Sequence, residues 1–504
     1  MNKRLTLLLV LLLVWAVPSG AQDSETEATV EGSNYLRWDE GDEVDSRLPE
    51  SEYPDNTIAR RFVENRLRLD VYYGNLRVGG RFLHFRPSDE DIYRDGLADV
   101  STIDKRYIEA TLWPFTIRGG DFSDIWAHGL AFSSYENRDL YFDTELDGVH
   151  VALKSEPLFI TLLHGSSQKG IYVEEADVSG SRVNLRFGGQ ALGFNYLFVD
   201  SGAYRETHIS GFDWRLSRGA FTFYGERAWS ESVLSPKSSE GHATYLGGVV
   251  SKCGWSLLAE YKDYHYVILT PFQSPPTVYR ELGPRLLQTR EPHVLRPADE
   301  VGYQVELSGQ ATSTTFTTLH YNLSSSHAKH QGGIPRPTLQ EADDPFWEFF
   351  VNAEQSLPGA RSLFVELGAN EDAFGVWRKR KWGWLKFTTP LRGSQELEIH
   401  SETLLITHPR RADEEFTDQL IGLGWFDGRS LSVSLQYEMS NDKELKEREG
   451  DGWPSAEIAT TLGRGKHRIG LFYGRERGGL KCSNGVCRQV QPFTGWRLSL
   501  ETTL

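Results

Sequence analysis

The chain has little of what most redox, helical-membrane and nucleic-acid-binding proteins are built from. Three of its 504 residues are Cys and two are Met, which excludes a disulfide-framed scaffold and a cysteine-ligated metal cluster. Beyond Leu5 to Val17 no apolar run approaches the roughly 20 residues of a membrane helix, so helical spans are excluded too. Base is scarce: 54 Lys and Arg stand against 70 Asp and Glu, net −16. Phosphate binding needs clustered base, so nucleic acid is not an expected partner. Specific enzyme motifs are missing. HGSSQKG at 164–170 is not a G-x-S-x-G elbow, and GRGKHR at 463–468 lacks the glycine spacing of a phosphate loop. No catalytic residue, cofactor or metal is therefore expected. The acids of 121–148 lack EF-hand spacing, and His327 and His330 have no neighbouring carboxylate in the sequence.

What is present starts with the pattern of a cleaved secretory signal over residues 1–21: Lys3 and Arg4, the 13-residue apolar run, then Pro18-Ser19-Gly20-Ala21. The remaining chain carries 52 bases against 70 acids, net −18. Residues 22–60 hold twelve of those acids and three bases. They read as a short acidic N-terminal segment, periplasmic and loosely ordered, with Val30 to Trp38 its one strand-like part.

From Asn65 the pattern turns to period two, which puts successive side chains on opposite faces of a strand. Leu67, Leu69, Val71 and Tyr73 alternate with Arg66, Arg68 and Asp70; Leu431, Val433, Leu435, Tyr437 and Met439 alternate with Ser430, Ser432, Ser434, Gln436 and Glu438. Such segments, about 8 to 13 residues long, recur to the C-terminus and match a tilted strand crossing a bilayer. Many of the 61 Phe, Tyr and Trp sit at segment ends, where aromatic girdles lie. At the C-terminus Trp496, Leu498, Leu500 and Leu504 share one face, as the closing strand of a barrel would. Twenty-three segments can be phased, and single-chain bacterial barrels have even strand numbers. The expected fold is all-β: a transmembrane antiparallel β-barrel of 22 to 24 strands over residues 61–504, in the bacterial outer membrane. The gaps at 264–297 and 323–343 read as outer loops.

One stretch breaks the alternation. Residues 121–148 hold seven carboxylates (Asp121, Asp124, Glu136, Asp139, Asp143, Glu145 and Asp147), one base, Arg138, and ten large apolar or aromatic residues. A solvated loop has no use for so much apolar surface. The stretch is expected to fold against the inner wall, restrict the lumen and favour cations. Missed strands joined by an outer loop stay open as the alternative. Cys482 and Cys487 flank Asn484-Gly485, a hairpin turn signal, and read as a disulfide in an exported chain. Cys253 reads as a small buried residue. Arg378 to Lys381 reads as a loop or rim segment able to meet phosphates of outer-leaflet lipid.

GSNYLRW at 32–38, LRVGGRF at 76–82, the run at 119–148, and KCSNGVC at 481–487 followed by the strand from Gly495 together resemble an uncharacterised family of large Gram-negative outer-membrane β-barrel proteins, a domain of unknown function. The resemblance implies fold and location and no activity. That family usually ends in Phe, whereas this chain ends in Leu504. The expected function is a porin-like or passage channel partly occluded by the internal acidic segment, and not an enzyme. The alternative is a structural or assembly barrel serving as a membrane platform for a periplasmic or surface partner. Its other expected partners are the lipid bilayer and the barrel assembly machinery.

Overall fold

Alternation settles the backbone, and burial settles which way each face points. On the strand Thr57–Tyr73, Leu69, Val71 and Tyr73 are exposed while Glu64 and Asp70 are buried. The same inversion recurs with Leu216, Phe221 and Phe223 exposed and Glu226, Lys262 and Glu300 buried. A water-soluble fold would bury the apolar set and expose the charges; a wall that meets lipid outside and polar groups inside does the reverse. The computed structural model describes residues 27–504 except 45–56, 89–97, 169–172, 174, 203–204, 235–236, 267–268, 280–285, 291, 329–332, 375–376, 410–413 and 484–485. The expected signal peptide lies outside the described residues.

Twenty-four strands form one sheet in which sequence neighbours pair antiparallel. The first, Thr29–Val44, pairs with Thr57–Tyr73 on one side and with the last, Phe493–Thr503, on the other. The sheet therefore has no edge, and the fold is a closed antiparallel β-barrel of the transmembrane type. Tight turns gather at one end, where Cys253-Gly254 takes φ of 53° and 80°, the left-handed pair of a two-residue hairpin. Cys253 is exposed there, which corrects its reading as a buried residue: the turn needs a left-handed backbone, and nothing packs over it. The long connections gather at the opposite end. Short turns face the periplasm and long loops the exterior in such barrels.

The strand count resolves at the N-terminus. Residues 29–44, placed by the sequence in an acidic tail, are a wall strand, so the barrel starts at Thr29 and not at residue 61. The fully buried carboxylate of Asp39 lies 2.6 Å from Arg37, 3.1 Å from Arg60 and 3.0 Å from Arg497, and Glu43 lies 2.7 Å from Arg60. Two acids that looked like part of a solvated tail, Asp39 and Glu43, are paired charge, and two of their partners lie outside that stretch of sequence or at its end. Arg378 to Lys381 likewise opens a wall strand, Arg378–Pro390, with Arg380 buried and Lys379 exposed at the long-loop rim. The connection 326–345 runs over the outer side, where the Tyr261 hydroxyl donates to the Pro335 carbonyl at 2.8 Å.

Turn placement makes Cys253 a probe of orientation. In a Cys482→Ser/Cys487→Ser background, a membrane-impermeant maleimide should leave Cys253 unlabelled on intact cells and label it once the outer membrane is permeabilised. Labelling of intact cells would reverse the assignment of the two ends.

Candidate functional site

Three long connections turn inward and meet in the lumen. The first insert, residues 123–145, joins the strands Phe115–Phe122 and Leu146–Ser155. A bridge between Ile125 and Ser133, and a ladder of Glu136–Asn137 against Phe142–Asp143, fold it on itself. Its Trp126, Leu130, Ala131 and Phe132 are at most 1 % exposed and pack against the wall residues Leu146, Val178, Leu197, Ile209 and Ala228. The wall is shaped to receive them: a Cβ on Gly180 would lie 2.6 Å from the Trp126 ring. Glu226, on the strand Phe221–Leu234, accepts from the backbone N–H of His128 at 2.7 Å and of Ala131 at 3.1 Å. It satisfies two buried donors that the irregular backbone leaves over. Burial holds the His128 imidazole below its ordinary value.

The charges of the stretch are mostly matched. Glu136 accepts from Arg81 at 2.8 Å, and Arg138 donates to Glu64 at 3.0 Å. Lys105 lies 2.6 Å from Asp143 and 3.0 Å from Glu145. Asp124 accepts from the Trp126 indole at 3.0 Å and lies 3.2 Å from His150. Burial opposes the ionisation of Glu136, but Arg81 holds it below the usual carboxylate range; for Asp143 burial outweighs Lys105 and raises it. Asp121 and Asp147 pair across adjacent strands, and the buried Asp121 accepts from the Arg106 N–H at 2.6 Å. Arg81 and Lys105 thus meet three of the seven carboxylates, Glu136, Asp143 and Glu145, and Arg81 is shared with Asp104.

The gap at 264–297 was expected outside the barrel; the described residues of this second insert, 266–299, instead reach into the lumen. Ser133 donates to the Phe272 carbonyl at 2.8 Å, Ser274 to that of Gly129 at 3.0 Å, and both Gln273 and the Tyr266 hydroxyl to that of Leu130 at 2.9 Å. Gly129, at φ 83°, allows the approach: a Cβ would lie 2.7 Å from the Ser274 carbonyl oxygen. Further on, the short helix Leu286–Thr289 reaches another sector of the wall, where both carboxylate oxygens of Glu402 accept from Leu286 and Leu287 N–H at 2.9 Å. Leu287 packs there against Phe350, Trp382, Leu404 and Leu420. His293 lies 2.9 Å from Asp372 and stacks on Phe346 at 3.9 Å between centroids. Burial disfavours its charge, but Asp372 and Glu300 outweigh it and raise the imidazole above its ordinary value. The sequence did hold a signal for this insert. Phe272, Val278, Leu286, Leu287 and Leu295 are as ill-suited to a solvated loop as the residues that marked 121–148.

The third insert, residues 477–492, carries Arg477, 2.7 Å from Asp418 and 3.2 Å from Glu438, and its Leu480 donates to the Arg290 carbonyl at 3.0 Å. Its hairpin, Gly479–Ser483 with Val486–Val490, touches Arg138–Leu140 of the first insert. The register sets Cys482 directly opposite Cys487; their side chains lie outside the described residues. On the far strand Trp496 and Leu504 are exposed on the outward face, and the Leu504 N–H donates to Gly32 at 2.8 Å. Between inserts and wall remains a cavity of about 480 Å³, bordered by seven arginines, among them Arg37, Arg60, Arg290 and Arg497, and by the carboxylates Glu64, Asp139, Glu348 and Glu476. A second cavity of about 300 Å³ adjoins it, sharing Leu286, Arg290, Glu476 and Arg497.

The model of a family described as a family of unknown function (DUF6029) matches residues 1–266 and 411–504. No curated protein matches the chain. Among solved structures, the barrel is similar to a P pilus tip assembly intermediate of E. coli, PapC-PapD-PapK-PapG, with 11% identity and a TM-score of 0.53, covering 97% of this chain and 62% of that one. The translocation pore of the P pilus usher PapC matches with 9% identity and a TM-score of 0.48, over 95% of this chain and 99% of that one. OpdO of Pseudomonas aeruginosa matches with 10% identity and a TM-score of 0.40, over 69% and 93%. At these identities the likeness is one of fold: a large β-barrel like outer-membrane proteins.

Two measurements test how the inserts are held. Glu226→Ala strands two buried N–H groups, at about 1–3 kcal/mol each. Hydrogen exchange within 123–145 should rise while the barrel stays folded, and unchanged exchange would remove Glu226 as an anchor. His293 has a raised value in the folded state, so its contribution is complete below the unfolded value, near 6.5, and fades as pH rises through the folded one. Exchange at 286–299, corrected for its intrinsic pH dependence, should therefore increase above that range, and His293→Asn should abolish the trend.

Proposed function

We propose that this chain, which belongs to the DUF6029 family of unknown function, is an outer-membrane barrel that passes small solutes and is held closed at rest by its own inserts. One observation carries the reading. The first and second inserts bond to each other at Gly129 to Ser133 and Phe272 to Ser274, while each is anchored to a different sector of the wall. Barrels of 16 to 18 strands leave an aqueous channel, and those of about 22 are plugged. A wall of 24 strands without inserts would be wide open. The apolar outward face supports residence in the outer membrane, and Lys379, exposed at the long-loop rim, is placed to meet lipid phosphate there.

The adjoining cavities of about 480 and 300 Å³ are the space from which a passage would open if the second insert shifted. Arginines and carboxylates share their lining, so strong cation preference is not part of this reading. Directly opposed residues of an antiparallel pair have Cα atoms roughly 4.5–5.5 Å apart, within disulfide range. An oxidised Cys482–Cys487 pair would thus brace the third insert. The platform reading keeps less support, because residues 29–44 of its expected acidic contact lie in the wall.

Planar-bilayer recording decides between the two. The intact protein should show small, infrequent openings, and replacement of 269–279 by a Gly-Ser linker should raise the conductance severalfold. A folded, heat-modifiable barrel whose conductance stays at the intact level after that replacement would give the platform reading its place.

A further inference from the structure

At the long-loop rim, on the outward face, three imidazoles and two carboxylates come together from four segments. Lys262 and Tyr264 are buried inward, so Asp263 and His265 of the strand Trp255–His265 face out, and His242 of the neighbouring strand stands opposite His265 in register. Asp299 lies just before the strand Glu300–Thr312, and His327 just after Thr315–Ser325. The sequence sets no carboxylate beside His327; the fold sets two there. Its Nε2 lies 3.0 Å from Asp263, and its Nδ1 2.5 Å from Asp299. The His265 and His327 rings are 5.7 Å apart, those of His242 and His265 5.8 Å. One ligand atom each of His265, Asp299 and His327 lies within 4.8 Å of the other two.

We propose that His265, Asp299 and His327 bind a divalent transition metal of the zinc, copper or nickel type. Two imidazoles with one carboxylate are the donors such ions take, whereas calcium and magnesium require oxygen ligands in greater number. Binding asks His265 to close in on the other two and the hydrogen-bonded Asp299–His327 pair to open around the ion. The three side chains stand at a strand end and on two connections next to strand ends, so that adjustment asks little of the wall. With the ion on the Asp299 side of the His327 ring, Nε2–H remains bonded to Asp263. This is the carboxylate–histidine–metal arrangement that fixes the tautomer and orients the ring. His242, 3.9 Å from Asp263, stands beside the open coordination position.

The position adds a consequence. His265 and Asp299 flank the second insert at its two ends, so one ion bound to both closes the neck of the segment that crosses the lumen. The metal site itself stands whether or not the barrel conducts.

The test uses full-length, untagged protein in detergent, stripped with chelator and titrated with Zn²⁺ against a chromogenic competitor. One equivalent should bind. Asp263→Asn should weaken it roughly 10- to 100-fold, and His327→Gln should weaken it further, with both variants still heat-modifiable. Cu²⁺ loaded in place of Zn²⁺ should show hyperfine coupling to two imidazole nitrogens. Absence of stoichiometric binding, unaltered affinity in His327→Gln, or a copper spectrum without nitrogen coupling would each overturn the proposal.

Discussion

A sheet of 24 strands closed on itself encloses more volume than side chains projecting from its wall can fill. Everything else in the molecule answers to that geometry. Backbone must enter the lumen, and backbone that enters without regular pairing needs partners for its N–H and C=O groups. The wall supplies some of them: Glu226 for the first insert and Glu402 for the helix of the second, while Asp418 and Glu438 hold the Arg477 side chain of the third. The inserts supply others to each other, at Gly129, Leu130 and Arg290. The first insert adds an apolar core of its own, so part of this lumen is built like the interior of a soluble protein.

Charge follows the same inversion. Ionised groups avoided by lipid collect on the inner face, where many are kept by an opposite charge. Lys262 and Glu300, fully buried and 2.6 Å apart, also tie the wall to the second insert, because Lys262 donates to the Thr277 carbonyl. Removing one member of such a pair leaves the other buried and unmatched, at roughly 3–5 kcal/mol. Asp39 serves three arginines at the seam where first and last strands meet, so closure of the barrel is electrostatic as well as backbone-paired.

Much of this was legible in the chain. Alternation over Leu67 to Tyr73 or Leu431 to Met439 marks strands because a two-faced wall permits nothing else, and an even strand number follows from both termini lying at the same end. The apolar content of 121–148 marked an inward fold because no solvated loop carries Trp126, Leu130 and Phe132 together. The missing strand was hidden by its charges. Asp39 and Glu43 look like part of a tail until Arg60 and Arg497 are placed beside them, and a window of sequence cannot contain a partner 458 residues away.

The sequence by itself thus determined the kind of wall and its inside and outside. These depend on local periodicity and on the cost of exposing apolar surface. Only the tertiary structure decided what the lumen contains and how its charge is balanced. The inward turn of the second insert, the approach of Lys105 to both Asp143 and Glu145, and the two carboxylates at His327 arise from contacts between segments far apart in the chain. Such contacts are set by barrel closure and register, which bring distant residues to one place without leaving a local pattern to read.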